Sequence, residues 1–117
     1  MPFKFEKLIV WQKSLELSVL IRDIVTKFPK EETNVLSSQI KRAADSVSLN
    51  IAEGSTGQSN PEFKRFLAIA LRSSVEVVGC IYIAKRVKII SEEDFNHVYK
   101  SCEEILVMIK PLQKSLN

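Results

Sequence analysis

Five basic side chains on two predicted helices have the clearest chemical use, which is to bind phosphate groups. They are Lys41, Arg42, Lys64, Arg65 and Arg72. Lys64 and Arg65 lie in or just after the first turn of a predicted helix, where the helix dipole disfavours cations. A bound phosphate would offset that cost, because free backbone N–H groups and the hydroxyls of residues 55–59 would converge on it. The alternative is a solvated charge run that Glu62 partly neutralises.

Arg42 has a second interpretation, as half of a buried ion pair. Arg42 in the second predicted helix and Glu76 in the third would meet if these helices are antiparallel. Asn50 and Ser73 are the expected hydrogen-bond partners of such a pair. A buried pair fixes the register of two helices more than it stabilises them. We favour this structural role for Glu76 over a catalytic one with Glu53, and it would remove Arg42 from solvent.

Enzymatic chemistry finds little support in the sequence. The one histidine, His97, excludes the paired Glu-x-x-His motifs of a di-metal carboxylate bundle. Gly54 and Gly57 form a spaced pair, but the Lys-Ser/Thr of a phosphate-binding loop does not follow them. Cys80 and Cys102 lack metal-like spacing and are interpreted as small buried hydrophobic residues. We therefore predict no enzyme activity, no catalytic residues, no metal site and no cofactor.

The distribution of charge is more informative than its total. The net charge is +3 over 117 residues, which alone is too small to predict a nucleic-acid partner. Residues 60–88 contain six basic and two acidic residues, a net charge of +4. Residues 91–117 contain three basic and five acidic residues, a net charge of −2. This difference predicts a polarised surface.

Two segments bear on the cellular compartment. The N-terminal residues 1–7 lack the basic-then-apolar order of a signal peptide. The longest apolar run, Phe66 to Ala84, contains Arg72 and Glu76 near its centre, and these charges would be costly in lipid. We predict a cytoplasmic protein with reduced thiols and no membrane partner.

Composition and periodicity predict an all-α protein. Hydrophobic residues make up 45% and charged residues 26% of the chain, and only three glycines and four prolines leave little room for long loops. A single domain, residues 1–117, is expected to contain helices at about residues 7–28, 32–53, 61–87 and 92–115. Helices of this length joined by short loops predict an antiparallel up-down-up-down four-helix bundle.

The second predicted helix has the clearest packing stripe. Its apolar residues recur at steps of three and four: Leu36, Ile40, Ala43, Ala44, Val47 and Ile51. Gly54 is predicted to end this helix in the left-handed conformation. Asn60 is the predicted N-cap of the third helix, with Pro61 at its first position. Ser91 begins the fourth helix, and Pro111 should kink or fray its last turns.

The first and third helices carry more apolar surface than one bundle can bury. The predicted core stripe of the first helix contains Leu8, Trp11, Leu15, Ser18, Ile21 or Arg22, and Val25 or Phe28. Its second apolar face contains Ile9, Val10, Leu17 and Leu20. In the third helix, the stripe contains Phe63, Phe66 or Leu67, Ala70, Ser74, Val77 or Val78, Ile81 and Ala84. The apolar residues Ile69, Leu71, Val75, Tyr82 and Ile83 lie elsewhere. Helices with two apolar faces in a small bundle predict self-association.

Five segments carry a resemblance to a known family. They are Phe5 to Ser14, Phe28 to Glu32, Gln39 to Ala44, Asn50 to Gly54, and Phe63 to Glu76. Over almost its whole length the chain resembles the small four-helix-bundle proteins encoded by intervening sequences in bacterial 23S rRNA genes, also called S23 ribosomal proteins. Accessory variability proteins of diversity-generating retroelements are similar to this family. There the pentamer binds nucleic acid and a reverse transcriptase.

The resemblance implies a bundle that assembles as a homopentamer, and it implies no catalytic residues. Relatives often place an arginine or lysine just after the Gly54 loop begins, whereas this chain has serine, threonine, glycine and glutamine at 55–58. We expect a cytoplasmic bacterial homo-oligomer that binds RNA, or DNA, through backbone phosphates. The alternative is an interaction scaffold that docks a partner protein such as a reverse transcriptase.

Overall fold

A computed structural model describes residues 2–57 and 59–117, which form four α-helices. The helices are α1 (Ile9–Val25), α2 (Leu36–Ser55), α3 (Asn60–Arg86) and α4 (Glu92–Ser115), with short 3-10 turns at Lys4–Lys7 and Lys30–Glu32. Each helix packs against the next along the chain, and α1 also packs against α4, which closes the ring. The described residues contain no β-strand, and the predicted all-α four-helix bundle is confirmed.

Neighbouring helices run in opposite directions. Lys13 of α1 pairs with Glu104 of α4, and Lys27, two residues after α1, pairs with Asp94, so residue numbers rise along one helix as they fall along the other. The short loops between α2 and α3 and between α3 and α4 impose the same arrangement. The longest dimension of the molecule, 43 Å, matches the length of α3 at about 1.5 Å per residue. The helices therefore run along the long axis of the bundle.

The core confirms the predicted stripes of α2 and α3 and corrects that of α1. The six predicted α2 residues are all buried. In α1 the buried apolar residues are Val10, Leu17, Ile21 and Ile24, whereas Leu15 from the predicted stripe is 46% exposed. Ser18 of the predicted stripe is buried, and so is Ser14, which the prediction left out. Ser14 Oγ donates to the carbonyl of Trp11 at 2.7 Å, which satisfies its hydroxyl.

Gly54 lies inside α2 and does not end it in the left-handed conformation, so that prediction was wrong. None of the described glycines has a positive φ. A Cβ at Gly54 would lie 2.6 Å from Phe66 Cβ and 2.9 Å from Phe63 Cδ1. The glycine therefore permits close packing of α2 on α3. The helix ends one residue later, where the Thr56 N–H donates to the Glu53 carbonyl at 3.2 Å.

The observed helix starts differ from the predicted ones at two places. Ser59, not Asn60, caps α3, and its Oγ accepts from the Glu62 N–H at 3.3 Å. The start of α2 lies at Leu36, about four residues after the predicted one, because the chain forms a separate 3-10 turn first. At α4 the prediction is confirmed, since Ser91 Oγ accepts from the Asp94 N–H at 3.0 Å. That helix continues through Pro111 to Ser115.

A left-handed residue ends α3. Lys88 has φ 64°, a conformation that glycine adopts at lower cost. It allows the Ile89 N–H to donate to the Ala84 carbonyl at 3.0 Å, which closes the helix end. By length and composition alone α3 would suffice to cross a membrane. In the bundle it packs between α2 and α4, and a core helix meets the same criteria.

Candidate nucleic-acid interface

Three of the five predicted phosphate-binding cations lie on one exposed surface. We define the α2–α3 outer face by the exposed residues that flank the contact line of these helices: Arg42 and Glu53 on α2, and Arg65, Ile69, Arg72 and Glu76 on α3. Arg65 and Arg72 are two helical turns apart on the same side of α3, about 10 Å along its axis. The guanidinium of Arg65 lies 5.6 Å from the ring centroid of Phe66, which holds it against the surface.

A serine contact fixes the position of Arg42 relative to Arg72. Ser46 Oγ on α2 lies 2.8 Å from Ser73 Oγ on α3. Arg42 is one turn before Ser46, and Arg72 is next to Ser73. Since the helices are antiparallel, the two arginines differ in height by about 7 Å along the bundle.

The predicted buried pair of Arg42 with Glu76 is absent from the described residues. Arg42 is exposed, and Glu76 Oε2 instead accepts from Gln39 Nε2 at 3.5 Å. Asn50, an expected partner of that pair, donates to the carbonyl and the hydroxyl of Ser46 at 2.7 and 2.9 Å. Between the two helices, the neutral contact of Ser73 with Ser46 helps to fix the register, and Arg42 stays exposed to solvent.

Lys64 lies apart from the other four cations. Its ammonium donates to Asn117 Oδ1 near the end of α4, and the Lys64 carbonyl accepts from Gln113 Nε2 at 3.4 Å. These contacts direct the half-buried lysine toward α4, away from the α2–α3 outer face. An amide oxygen carries no net charge, so Lys64 remains a cation without a carboxylate partner among the described residues.

The loop before α3 does not offer the free hydroxyls that the sequence suggested. Ser55 Oγ donates to the Ala52 carbonyl at 2.8 Å, and Thr56 Oγ1 donates to the Glu53 carbonyl at 2.9 Å. The third hydroxyl is the helix cap described above. The carboxylate of Glu62 lies beside Gly57 of the loop: a Cβ added to this glycine would be 3.0 Å from Glu62 Oε1. Gln58 of this loop lies outside the described residues. A carboxylate therefore occupies the position proposed for a phosphate.

Lys41 lies in an open groove between α1 and α2. Its lining residues are Arg22, Val25, Thr26, Thr33, Ser37, Ser38, Lys41, Arg42 and Asp45. Arg22 crosses this groove to form a bidentate pair with Asp45, both N–O distances being 2.7 Å. Hydrogen bonding and the charge of Arg22 hold the pKa of Asp45 below its usual value and raise that of Arg22. Lys41 and Arg42 are thus the cations of the groove that lack a carboxylate partner in the described chain.

Sequence reasoning missed Arg22, Ser37 and Ser38 as residues of this groove. The predicted start of the second helix, near residue 32, placed both serines inside the helix. The observed start at Leu36 puts them in its first turn, beside the 3-10 turn that precedes it. The sequence did contain a signal for a helix start near this position. Two adjacent serines precede the Lys41-Arg42 pair, and serine is common at helix starts.

Groups that could support other chemistry are not clustered. The described residues contain no group of three or more His, Cys, Asp and Glu side chains that could hold a metal ion. Cys80 and Cys102 are both buried and free. Burial raises the pKa of the Cys80 thiol, and it raises that of Cys102 to about 11. Buried thiols with raised pKa values are poor nucleophiles.

Comparisons with known proteins agree with one another. The family model described as 23S rRNA-intervening sequence protein matches residues 6–111. A crystal structure from Bacteroides thetaiotaomicron VPI-5482, described as a protein with unknown function from the S23 ribosomal protein family, is similar with a TM-score of 0.82. The two chains are 28% identical, and the similarity covers 91% of this chain and 99% of the other. A search of curated proteins gave no match.

Proposed function

The chain belongs to the 23S rRNA-intervening sequence protein family, and from this premise we propose that it is a homo-oligomeric, non-enzymatic protein that binds the RNA backbone. We propose a cytoplasmic location, where RNA is available. Its contacts would be phosphate contacts from Lys41, Arg42, Lys64, Arg65 and Arg72. Binding of this kind is sensitive to salt and weakly dependent on base sequence.

The observation that carries the proposal is the exposure of three unpaired arginines on the α2–α3 outer face. Within the described residues, no carboxylate lies in salt-bridge distance of Arg42, Arg65 or Arg72, whereas the ion pairs that do form lie on α1 with α2 or α4. Glu53 and Glu76 lie on the same face and reduce its positive charge. One subunit would therefore bind weakly, and repetition in an oligomer would increase the affinity through effective concentration.

Two separate apolar patches support assembly. On α1 and α2, Leu15, Val19 and Leu49 lie together, and Val19 is 66% exposed. On α3 and α4, Val75, Tyr82 and Tyr99 are exposed, and both tyrosines pack on Phe95. A closed ring needs two different patches on each subunit, so that one binds the other on the next copy. We propose a homopentamer of this type, which light scattering would report as about five times 13.3 kDa.

RNA binding is tested by fluorescence anisotropy with a labelled 20-nucleotide single-stranded RNA between 50 and 300 mM salt. We expect the affinity to fall steeply, with a linear dependence of log K on log salt concentration. The double variant Arg65→Ala with Arg72→Ala loses two phosphate contacts, which for a single strand should make the slope shallower by about 1.4. The matched control is Lys100→Ala with Lys110→Ala, which removes the same charge from exposed positions on α4.

Three results would contradict the proposal. The first is the absence of binding at 50 mM salt, and the second is an affinity that does not change with salt. The third is an equal loss of slope in the arginine variant and its α4 control, because net charge would then act without a defined surface.

A protein-docking scaffold is the second candidate. It is favoured by an open groove of about 700 Å³ between α1 and α4, which carries both signs of charge: Lys13, Glu16, Asp23, Lys100 and Glu104. Alternating charges suit recognition of a protein partner, such as a reverse transcriptase, more than of a polyanion. Pull-down from the host after nuclease treatment separates the candidates. A protein that stays bound supports the scaffold, and loss of all partners supports RNA binding.

A further inference from the structure

The first turn of α2 has unsatisfied hydrogen-bond donors. Val35 precedes the helix and makes no side-chain cap, and the first turn contains no acidic residue. In the described chain, the backbone N–H groups of Leu36, Ser37 and Ser38 have no acceptor, while the Gln39 N–H donates to the Val35 carbonyl at 3.0 Å. Such groups bear partial positive charge and bind anions well.

Ser37 is an independent indication of a ligand at this position. The residue is 6% exposed, and its hydroxyl makes no hydrogen bond within the described residues. It lines the groove between α1 and α2, together with the hydroxyls of Thr33 and Ser38. Its oxygen reaches the open groove, since among the described residues Ser18 Oγ is the one side-chain oxygen that is both fully buried and without a partner. An acceptor bound in the groove would satisfy the Ser37 hydroxyl.

The charges of the groove favour an anion. Lys41 and Arg42 lie one turn into α2, on the side that lines the groove. The carboxylate of Asp45 is nearby, but both of its oxygens accept from Arg22, which neutralises its charge locally. The carboxylates of Glu31 and Glu32 lie in the preceding 3-10 turn and are not part of the groove lining. The groove has a volume of about 540 Å³ and is open to solvent, so a phosphate on a polymer could enter it.

We propose that this groove binds one backbone phosphate of the RNA, and that it is the anchoring contact of each subunit. This inference depends on the proposed function, and it specifies which residues of each subunit would hold one RNA phosphate. The phosphate oxygens would accept from the free N–H groups of the first turn and from the Ser37 hydroxyl. Lys41 and Arg42 would balance the phosphate charge. We call this site the α2 anion groove.

The test is Ser38→Asp, measured by RNA anisotropy against salt and by thermal unfolding. The new carboxylate would accept from the same N–H groups and face Lys41 and Arg42, which excludes a phosphate. An acidic residue in a first turn also favours the helix, so the melting temperature should be unchanged or higher. We expect the salt slope to become shallower by about 1, and Lys41→Ala to have a similar effect.

The matched control is Asn96→Asp, which makes the same charge change at an exposed position on α4. It should leave the slope as in the unmodified chain. If Ser38→Asp and Lys41→Ala also leave it unchanged while Arg65→Ala with Arg72→Ala reduces it, the anion groove is refuted and RNA binding stands. If the unmodified chain does not bind RNA, both proposals fail.

Inorganic phosphate distinguishes an RNA phosphate from a free anion as the occupant. The melting temperature is compared in phosphate and in chloride at equal ionic strength, for the unmodified chain and for Ser38→Asp. The proposal is supported if phosphate raises the melting temperature of the unmodified chain, and if Ser38→Asp both abolishes this rise and weakens the salt dependence of RNA binding. If phosphate raises the melting temperature and Ser38→Asp abolishes this rise but does not change RNA binding, the groove binds a small anion, and its assignment to RNA is wrong.

Discussion

Replacement of Gly54 by alanine tests whether this glycine permits helix packing or ends a helix. Gly54 is buried within α2, where alanine is the better helix former by about 1 kcal/mol. If only local propensity mattered, Gly54→Ala would stabilise the protein. If close packing matters, the new methyl group would meet Phe66 Cβ at 2.6 Å and Phe63 Cδ1 at 2.9 Å.

The packing effect should be larger than the propensity gain. Carbon atoms pack best at about 3.5–4.0 Å, so the contact with Phe66 requires a shift of about 1 Å. Phe66 Cβ is fixed to its backbone and cannot rotate away, so α2 and α3 must separate. Overpacking of a core costs about 1–3 kcal/mol, and separation would also weaken the contacts of neighbouring residues. We expect a net loss of about 1–2 kcal/mol in the free energy of unfolding.

Gly79→Ala is the matched control, because Gly79 is also helical and a Cβ there would meet nothing within 4 Å. It should stabilise the protein by about 1 kcal/mol through propensity alone. Urea unfolding at one protein concentration would measure both variants, since assembly makes stability depend on concentration. The two midpoints should move in opposite directions. Stabilisation by Gly54→Ala equal to that by Gly79→Ala would refute the packing role.

Three further predictions follow from the backbone and the titrating groups. Lys88→Gly should stabilise the protein by about 0.5–1 kcal/mol and raise its melting temperature, because φ 64° suits glycine; a lower melting temperature would contradict this. Arg22 lowers the pKa of Asp45, so the stability from this pair is present above the ordinary pKa of 3.8 and is lost as the pH falls through the lower folded value. Urea midpoints should therefore fall less between pH 5 and pH 2 in Asp45→Asn than in the unmodified chain, and parallel curves would contradict this. In a Cys80→Ser background, Cys102 should react with iodoacetamide at pH 8 about 100-fold more slowly than in urea, since its pKa is about 11 rather than 9.0; rapid labelling of the folded protein would contradict this.

The sequence predicted the helices and most of the core, because apolar periodicity is a direct consequence of burial on one side of a helix. It failed in part for α1, where the stripe includes buried Ser14, a polar residue, while the neighbouring apolar residue Leu15 is exposed. It also failed at Gly54, since a glycine at a close helix contact has the same one-residue signature as a helix-ending glycine. Distinguishing these requires the position of Phe66, which local sequence does not give.

The candidate site was less predictable than the fold. Sequence spacing placed Lys64 and Arg65 together, but consecutive residues on a helix point about 100° apart. Lys64 therefore contacts the end of α4, whereas Arg65 lies on the α2–α3 outer face. The groove around Lys41 was hidden for another reason. It forms between two helices that are distant in sequence, and Arg22 and Asp45, which join them, give no local signal.

The pair of Arg22 with Asp45 also links the two activities proposed here. It lines the α2 anion groove on one side and the apolar patch of Leu15, Val19 and Leu49 on the other. In the proposed ring, a neighbouring subunit on that patch would bury one side of the pair while the other side stays next to the groove. Burial strengthens the attraction between the two side chains, because it lowers the local dielectric constant. Asp45 would then be held more firmly by Arg22 and would compete less with a phosphate for Lys41. Assembly would in this way favour RNA binding within each subunit, in addition to repeating the site around the ring.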